Sequence, residues 1–599
     1  MAPKKATATT QKAKKAEPTT GRSRVTKSSA AKAPAKAPAK APAKAPAKRG
    51  RAATTESSSS KAATSKTTTK KSTTTKATAS KTATTKAASS KASTAKATKA
   101  STKNTSKKAT PKEDSPSQSP EAEASTKEAK DTAVPTANES RKRKATAPAE
   151  EQAPKRPKLA KGRVINEVPS QKVNVYVCGE VSAGELGLGP QVKKVKRPRL
   201  NANLLPDSVG VVQVAPGGMH VLALTHDNKI YSWGVNDMGA LGRDTNWEGG
   251  LKDIDDGDSD DSDADMNPKE STPAAIDEKY FPENTVFTQV AAGDSSSFAL
   301  TDDGRVYGWG TFRNNEGDAG FTLDKEGKLV ARQLTPILLP TLKGITQIAC
   351  GSDHVLALDK SGHVHAWGNG QQNQLGRRIV ERTKTKTLVP TGVSLPRKKI
   401  VSIGCGSYHS FAIDNKGSLY GWGLNSYGET GIPLENAEES VSHVIPLPEK
   451  VENVEGKKIK AVQGGAHHSV GVTEDGECLA WGRMDIGQTG IDVAILPEER
   501  LVKDVRGNPR ILAVPTAIPS IKAAAAAAGS DHTLVVTEDG QAYSCGFNAT
   551  FQCGQGGEDS PDDVLVATHI DNTALKEVKV TWAGAGGQYS VITAIPKEE

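Results

Sequence analysis

Short apolar runs bounded by glycine turns recur along the chain from Val173 onward, and they come in two alternating kinds. The first is a glycine turn followed by an apolar strand: PGGMHVLAL from Pro216, AAGDSSSFAL from Ala291, CGSDHVLAL from Cys350, CGSYHSFAI from Cys405, GGAHHSVGV from Gly464, GSDHTLVV from Gly529 and GGQYSVI from Gly586. The second is a strand that closes on glycine: YVCG at Gly179, YSWG at Gly234, YGWG at Gly310, HAWG at Gly368, YGWG at Gly423, LAWG at Gly482 and YSCG at Gly546. Where the two meet, as in LALTHDNKIYSW, FALTDDGRVYGW and LVVTEDGQAYSC, alternating strands flank an Asp-Asn or Asp-Gly pair. Those residues reach positive φ most easily, so each junction predicts a hairpin with a tight turn.

The two series are out of phase at the ends. The first closing strand has no glycine-turn strand before it, and the last glycine-turn strand has no partner after it. This arithmetic predicts an all-β fold, a seven-bladed β-propeller whose ring is closed by one blade assembled from Val173–Gly179 and Gln588–Ala594. The leading glycines are 55 to 76 residues apart, beyond the usual propeller periods of about 40 to 50, so the blades must carry extra loops.

The glycine pairs suit close backbone approach where blades crowd the axis, a structural role preferred here to ligand binding. GxGxxG-like strings recur with the blade and do not sit between a strand and a helix, so they carry no nucleotide signal. Cys178, Cys350, Cys405, Cys478, Cys545 and Cys553 occupy mostly apolar repeat positions without CxxC spacing, which points to reduced core residues and no metal. The tryptophans, apart from Trp247 and Trp582, fall in the closing strands, as inter-blade packing requires. His220, His354, His409, His468 and His532 share one repeat position, with Ser296 and Tyr589 replacing them in the other two copies; repeated hydrogen bonding to neighbouring turns fits that pattern better than a metal ring.

Charge divides the chain. Residues 1–163 hold 40 Lys plus Arg against 11 Asp plus Glu, a balance of +29, and subtraction from the totals of 80 and 68 leaves 40 against 57, or −17, for the rest. No aromatic residue precedes Tyr176. A segment of Ala, Lys, Thr, Ser and Pro cannot bury enough apolar surface to offset chain entropy, so 1–164 is expected to be a disordered basic tail. Its APAK repeats from Ala33 to Lys48 resemble linker-histone tails, whose binding to DNA phosphate is sequence-independent and salt-sensitive; a merely solubilising spacer is the alternative. Arg141, Lys142, Arg143 and Lys144, with Lys155, Arg156, Pro157 and Lys158, have the spacing of a bipartite nuclear import signal that importin would read. No stretch is apolar enough to span a bilayer and the N-terminus lacks a secretory core, so a nuclear, chromatin-associated protein without a membrane partner is expected.

The stretches PGGMHVLALT, SWGVNDMGALGRDTN, AAGDSSSFALTDDGRVYGWGTFRNNEG and GGAHHSVGV, together with the basic tail, resemble the regulator of chromosome condensation family over about residues 165 to 599. The likeness is to its nuclear branch of exchange factors for the small GTPase Ran, and the tail length and acidic insert are nearer to fungal members than to animal ones. The resemblance implies a propeller with one face on Ran and the opposite face, with the tail, on the nucleosome's histones and DNA. It implies no cofactor and no bond-making chemistry: the factor binds nucleotide-free GTPase tightly and, by reciprocity, weakens nucleotide affinity. An acceleration of about 10⁵-fold needs roughly 7 kcal/mol of differential stabilisation, which calls for a broad interface and a wedge near the phosphate site.

By resemblance the wedge is a projecting hairpin at Phe321, Thr322, Leu323, Asp324, Lys325, Glu326, Gly327 and Lys328, and Asp294, Asp353 and His467 belong to the GTPase-binding face. Arg378 and Arg382, in the basic loop from Gly376 to Lys386, are candidates for the nucleosome's acidic patch. The insert assigned to 250–272 packs eight Asp into Asp253–Asp265; such charge stays disordered, and it is either a solvated loop expansion or an element that mimics an acidic partner, folds on the tail or takes phosphate at Ser259 or Ser262. The competing reading of the whole is a chromatin-bound propeller adaptor without exchange activity. An enzyme is disfavoured, because nothing outside the repeat offers a nucleophile triad, a metal spacing or an isolated carboxylate pair.

Overall fold

The computed structural model describes residues 160–248, 266–396, 399–434, 443–454, 456–557 and 560–597. Both clusters of the import signal, nearly all of the basic tail and the aspartate run from Asp253 to Asp265 lie outside the described residues. Among the described residues the chain is built of antiparallel strands, with single turns of α-helix at Pro268–Ser271 and Thr573–Lys576 and short 3-10 segments. No helix among them is long and apolar enough to cross a membrane.

The hairpins form where the alternation places them. His220–Thr225 pairs with Ile230–Gly234 in the register His220↔Gly234, and the same register joins His354 to Gly368, His409 to Gly423, His468 to Gly482 and His532 to Gly546. Flanking strands complete five four-stranded sheets and one of eight, in which Pro509–Ala528 serves as the outer strand of one group and the inner strand of the next. Ser520, at φ +61°, lies in the register break between Ala517 and Lys522, both of which pair with Glu477–Arg483. As expected from the phase of the repeat, Asn174–Glu180 pairs with Tyr589–Pro596, from Asn174↔Ala594 to Gly179↔Tyr589. These registers put the glycine turns and the closing glycines at one end of every sheet, the glycine end, and the Asp-Gly turns at the other.

Sheets pack face to face, so strands such as His220–Thr225, Ser296–Thr301 and His468–Thr473 are buried along their whole length. Trp233, Trp309, Trp367, Trp422 and Trp481 are at most 1% exposed. Four of these indole N–H groups find carbonyls in the preceding unit: Trp233 donates to Glu185, Trp309 to Ala240, Trp422 to Gln374 and Trp481 to Glu429. The repeated histidines complete the same junction. Nε2 of His220, His354, His409, His468 and His532 lies 2.7 to 2.9 Å from the hydroxyl of Ser297, Ser410, Ser469, Thr533 and Ser590, each in the next repeat unit. Every one of those hydroxyls spends its proton on a loop carbonyl, so the histidine must be the donor and carries its hydrogen on Nε2. Where Ser296 and Tyr589 stand in place of histidine, the next sheet offers Val355 and Val221 instead of a hydroxyl.

At the glycine end the turns bond to one another through the backbone. Gly218 donates to Gly293 (3.3 Å), Asp294 to Ser352 (2.8 Å), Ser352 to Ser407 (3.3 Å), Ser407 to Gly465 (2.9 Å), Ala466 to Ser530 (3.1 Å), Ser530 to Gly586 (3.4 Å) and Gly587 to Gly218 (3.2 Å). This is why glycine is needed: a Cβ on Gly351 would collide with the Gly406 carbonyl and the His354 ring. Below the turns, Gln213, Gln289 and Gln347 each clasp the neighbouring inner strand, amide to carbonyl and carbonyl to amide, at Val290, Ile348 and Ile403. All six cysteines are free, and five are buried. Burial pushes the Cys178 and Cys478 thiols up to about 12, which keeps them protonated and unreactive.

Two boundaries differ from expectation. Residues 160–164, assigned to the tail, are bonded to the body at the Asp-Gly end, because the acidic pair Asp302-Asp303 captures them: Lys161 Nζ is 2.8 Å from Asp302, and the Gly162 N–H donates to Asp303 at 2.8 Å. The acidic insert also ends earlier than residue 272. Met266 is buried, and Asn267 caps the turn Pro268–Ser271, whose Ser271 is fully buried.

Candidate functional site at the glycine end

Asp294, Asp353, His467 and the segment 321–328 all emerge at the glycine end. Inner strands of every sheet line a cavity of about 380 Å³, and the glycine turns, with Asp294 among them, line its mouth. The Asp294 carboxyl is raised, chiefly by desolvation in that recess, against a bond to the Ser352 side chain. Asp353 is half-buried in the next turn. Its Oδ1 accepts the backbone N–H of Arg313 at 2.6 Å. Burial, with the Asp294 charge adding to it, still pushes the Asp353 carboxyl up to about 7.

Arg313 belongs to the insert that follows the closing glycine Gly310. Phe312–Asn314 pairs with Gly317–Gly320, and Thr322–Leu323 pairs with Leu329–Val330, so the expected hairpin is present. Its turn is built by Asp324: the Asp324 N–H donates to the Lys328 carbonyl (2.9 Å), and Oδ1 accepts the N–H groups of Glu326 (3.0 Å) and Lys328 (2.7 Å). Gly327 supplies φ +79°. Thr322 and Leu323 are half-buried, whereas Asp324, Lys325, Glu326, Gly327 and Lys328 are exposed. Phe321 corrects the sequence assignment. It is 1% exposed and stacks on Phe312 at 5.9 Å, beside Phe298 at 6.2 Å, so it anchors the hairpin and presents nothing to a partner.

His467 is fixed from beneath. Its Nδ1 lies 3.1 Å from Oε1 of Glu429, a carboxylate with no exposed side-chain surface, whose Oε2 accepts the Tyr427 N–H at 2.8 Å. The Tyr427 ring lies 4.8 Å from the His467 ring. Arg510 donates to the Tyr427 hydroxyl at 2.6 Å and stands 4.9 Å over its ring. Arg483 joins the group through Asp485 (2.7 Å) and Asp531 (3.4 Å). Other units hold Gln374 and Gln488 where Glu429 stands, and each caps the N–H two residues back in the same way. Glu185 also stands at this position and caps the Ala183 N–H at 3.0 Å, but it is Glu429 whose second oxygen meets a histidine.

Sequence reasoning missed Glu429, Tyr427, Arg483, Arg510 and Asp531. A signal existed for Asp531, which sits in a second GSDH string identical to that of Asp353. Arg378 and Arg382 are exposed and also lie at the glycine end, in the loop whose Lys384 pairs with Glu316 of the insert at 3.0 Å. The junction with the basic tail is at the opposite end, so the structure does not bring these arginines to it.

A family model described as an RCC1-like domain matches residues 174–592. Protein pim1 of Schizosaccharomyces pombe is 44% identical over 434 residues, covering 72% of this chain and 76% of that protein. The guanine nucleotide exchange factor SRM1 of Saccharomyces cerevisiae is 43% identical over 431 residues, 70% of this chain and 87% of that protein. Among solved structures, Prp20p of Saccharomyces cerevisiae, described with its binding properties to Gsp1p and histones, is 38% identical with a TM-score of 0.65 and covers 73% of this chain and 96% of its own. Prp20 bound to Kap60, there called yeast RCC1, gives the same identity and TM-score over 76% of this chain and 97% of its own. The matched span begins and ends within the two strands that pair Asn174 with Ala594, and the chain belongs to the RCC1-like domain family.

Proposed function

We propose that this chain is a guanine nucleotide exchange factor for the small GTPase Ran, held on chromatin in the nucleus and generating Ran-GTP for nuclear transport and spindle assembly. The observation that carries this reading is the gathering of Asp294, Asp353, His467 and an exposed hairpin at one end of the sheets, while the basic tail joins at the other. The names of its relatives agree: SRM1 is an exchange factor, and Prp20p is described with Gsp1p, histones and Kap60. The fold that accompanies the reading is a seven-bladed propeller closed where the first and last strands share a sheet, supported by the backbone bonds that return from Gly587 to Gly218.

Exchange needs no covalent step. A surface that binds the nucleotide-free GTPase better than the loaded one lowers nucleotide affinity by the same factor. Asp353 and Asp294 supply negative charge for a basic patch of the GTPase, His467 supplies a fixed ring, and Lys325, Glu326 and Lys328 at the hairpin tip press near the phosphate site. The tail holds DNA phosphate, and Arg141–Lys144 and Lys155–Lys158 serve importin.

The test is release of fluorescent GDP from purified Ran by the full chain, by Asp353→Ala and by a variant with 324–328 replaced by a two-residue turn. Acceleration by the parent and its loss in both folded variants is the expected result. A folded parent that leaves release at its intrinsic rate overturns the reading.

A further inference from the structure

The glycine end carries a second hairpin that the repeat pattern does not require. After the closing glycine Gly482 the chain runs through two 3-10 turns, Val493–Ile495 and Glu498–Arg500, into Leu501–Lys503, which pairs with the start of Pro509–Ala528. Its turn repeats the construction of the first hairpin. The Asp504 N–H donates to the Asn508 carbonyl (2.8 Å), and Asp504 Oδ1 accepts from Arg506 (2.9 Å) and Asn508 (2.8 Å). Gly507 takes φ +84°. Two inserts in different sheets thus end in the same aspartate-built tip, on the same end of the molecule.

Three features point outward. Val505, at the tip, is fully exposed at 105%, and Ile495 and Val493 of the same insert are 59% and 41% exposed. Arg506 stands beside Val505 at the tip. The base of the hairpin is continuous with the site, because Arg510 bonds Tyr427, which packs on His467. An interface of ordinary size involves about 20 to 30 residues a side, more than Asp294, Asp353, His467 and the first tip can supply.

We infer that the hairpin Leu501–Leu512 is a second docking arm for the same small GTPase, with Val505 entering an apolar pocket of the partner and Arg506 meeting an acidic group beside it. The inference rests on the exchange reading above. The arm binds loaded and empty GTPase alike, so it sets affinity and leaves the chemical consequence of binding to the first hairpin.

Steady-state GDP exchange on Ran and direct binding of nucleotide-free Ran are measured for the full chain, for Val505→Asp/Arg506→Glu and for Val505→Leu. The expected result is a KM roughly tenfold higher in the double variant with kcat unchanged, about what burial of one valine contributes, a matching loss in binding, and parental values for Val505→Leu. Both substitutions fall on an exposed tip, and equal thermal midpoints exclude a folding defect. A parent that exchanges while the double variant keeps its KM within twofold overturns the arm alone. A parent that neither binds nor exchanges Ran overturns the arm together with the function it rests on.

Discussion

The Asp353 carboxylate receives the backbone N–H of Arg313 at 2.6 Å, so a glycine turn of one sheet holds the insert that leaves its neighbour. The same carboxyl is the one that burial pushes up to about 7. A cationic group of the partner arriving at Asp353 must therefore expel a proton near neutral pH. Affinity for the GTPase is expected to rise between pH 6 and pH 8, with proton release seen as a dependence of the calorimetric enthalpy on buffer. Asp353→Asn should bind more weakly at pH 8 and show neither effect. In the free protein the sign is opposite. Between 3.8 and about 7 the native state keeps a proton that the unfolded chain has lost, so stability falls as pH rises through that window. The thermal midpoint of Asp353→Asn should gain on the parent from pH 5 to pH 8.

Glu429 tests whether His467 works by orientation. The fully buried carboxylate holds the imidazole by Nδ1 and leaves Nε2 toward solvent. Glutamine already occupies the equivalent place at Gln374 and Gln488, so Glu429→Gln fits the loop and keeps the bond to the Tyr427 N–H. Its amide can turn a donor toward Nδ1 and so select the other tautomer. Exchange should fall by about tenfold to a hundredfold with little change in the midpoint of urea unfolding. Unchanged exchange would remove His467 from the working face.

The repeated histidines set an acid limit. Burial holds His220 and His532 down to about 4 and His354 and His468 down to about 3, neutral in the fold. In the unfolded chain they titrate near 6.5. Their stabilisation is therefore complete above about 6.5 and is lost as pH falls from there toward 4, each contributing on the order of 1 to 3 kcal/mol. Urea unfolding at pH 7, 5.5 and 4.5 should show a steep, cooperative loss. A midpoint flat over that range would contradict the buried tautomers.

The repeat made the hairpins, the pairing of first and last strands and the shared end legible, because short apolar runs and Asp-Gly turns are local properties. What stayed hidden depended on neighbours. Phe321 reads as part of an exposed loop until Phe312 and Phe298 are seen to stack with it. Glu429 looks like one more polar residue in a turn, and Arg510 carries no pattern at all. Residues 160–164 have the composition of the tail, yet Asp302 and Asp303, well over a hundred positions away, hold them.

The exceptions in the histidine column were legible only across units. Each of the five histidines in the column faces Ser or Thr in the next repeat unit, and the two units without one face Val355 and Val221. At the sheet that joins the chain ends, the Tyr589 hydroxyl instead donates to the carbonyls of Gly217 (2.9 Å) and His220 (3.0 Å). Tyr589→His removes those bonds and sets an imidazole against Val221, where its Nε2–H has no acceptor; burial of an unpaired donor costs about 1 to 3 kcal/mol. Adding Val221→Ser restores the arrangement of the other units, with the Glu185 carbonyl, which already accepts the Trp233 N–H, free to take the hydroxyl proton. The double variant should be more stable than Tyr589→His alone, although Val221→Ser by itself is destabilising. A double-mutant cycle read by urea unfolding should give a coupling energy of at least about 1 kcal/mol, and strictly additive losses would show that the hydroxyl and the histidine do not depend on each other.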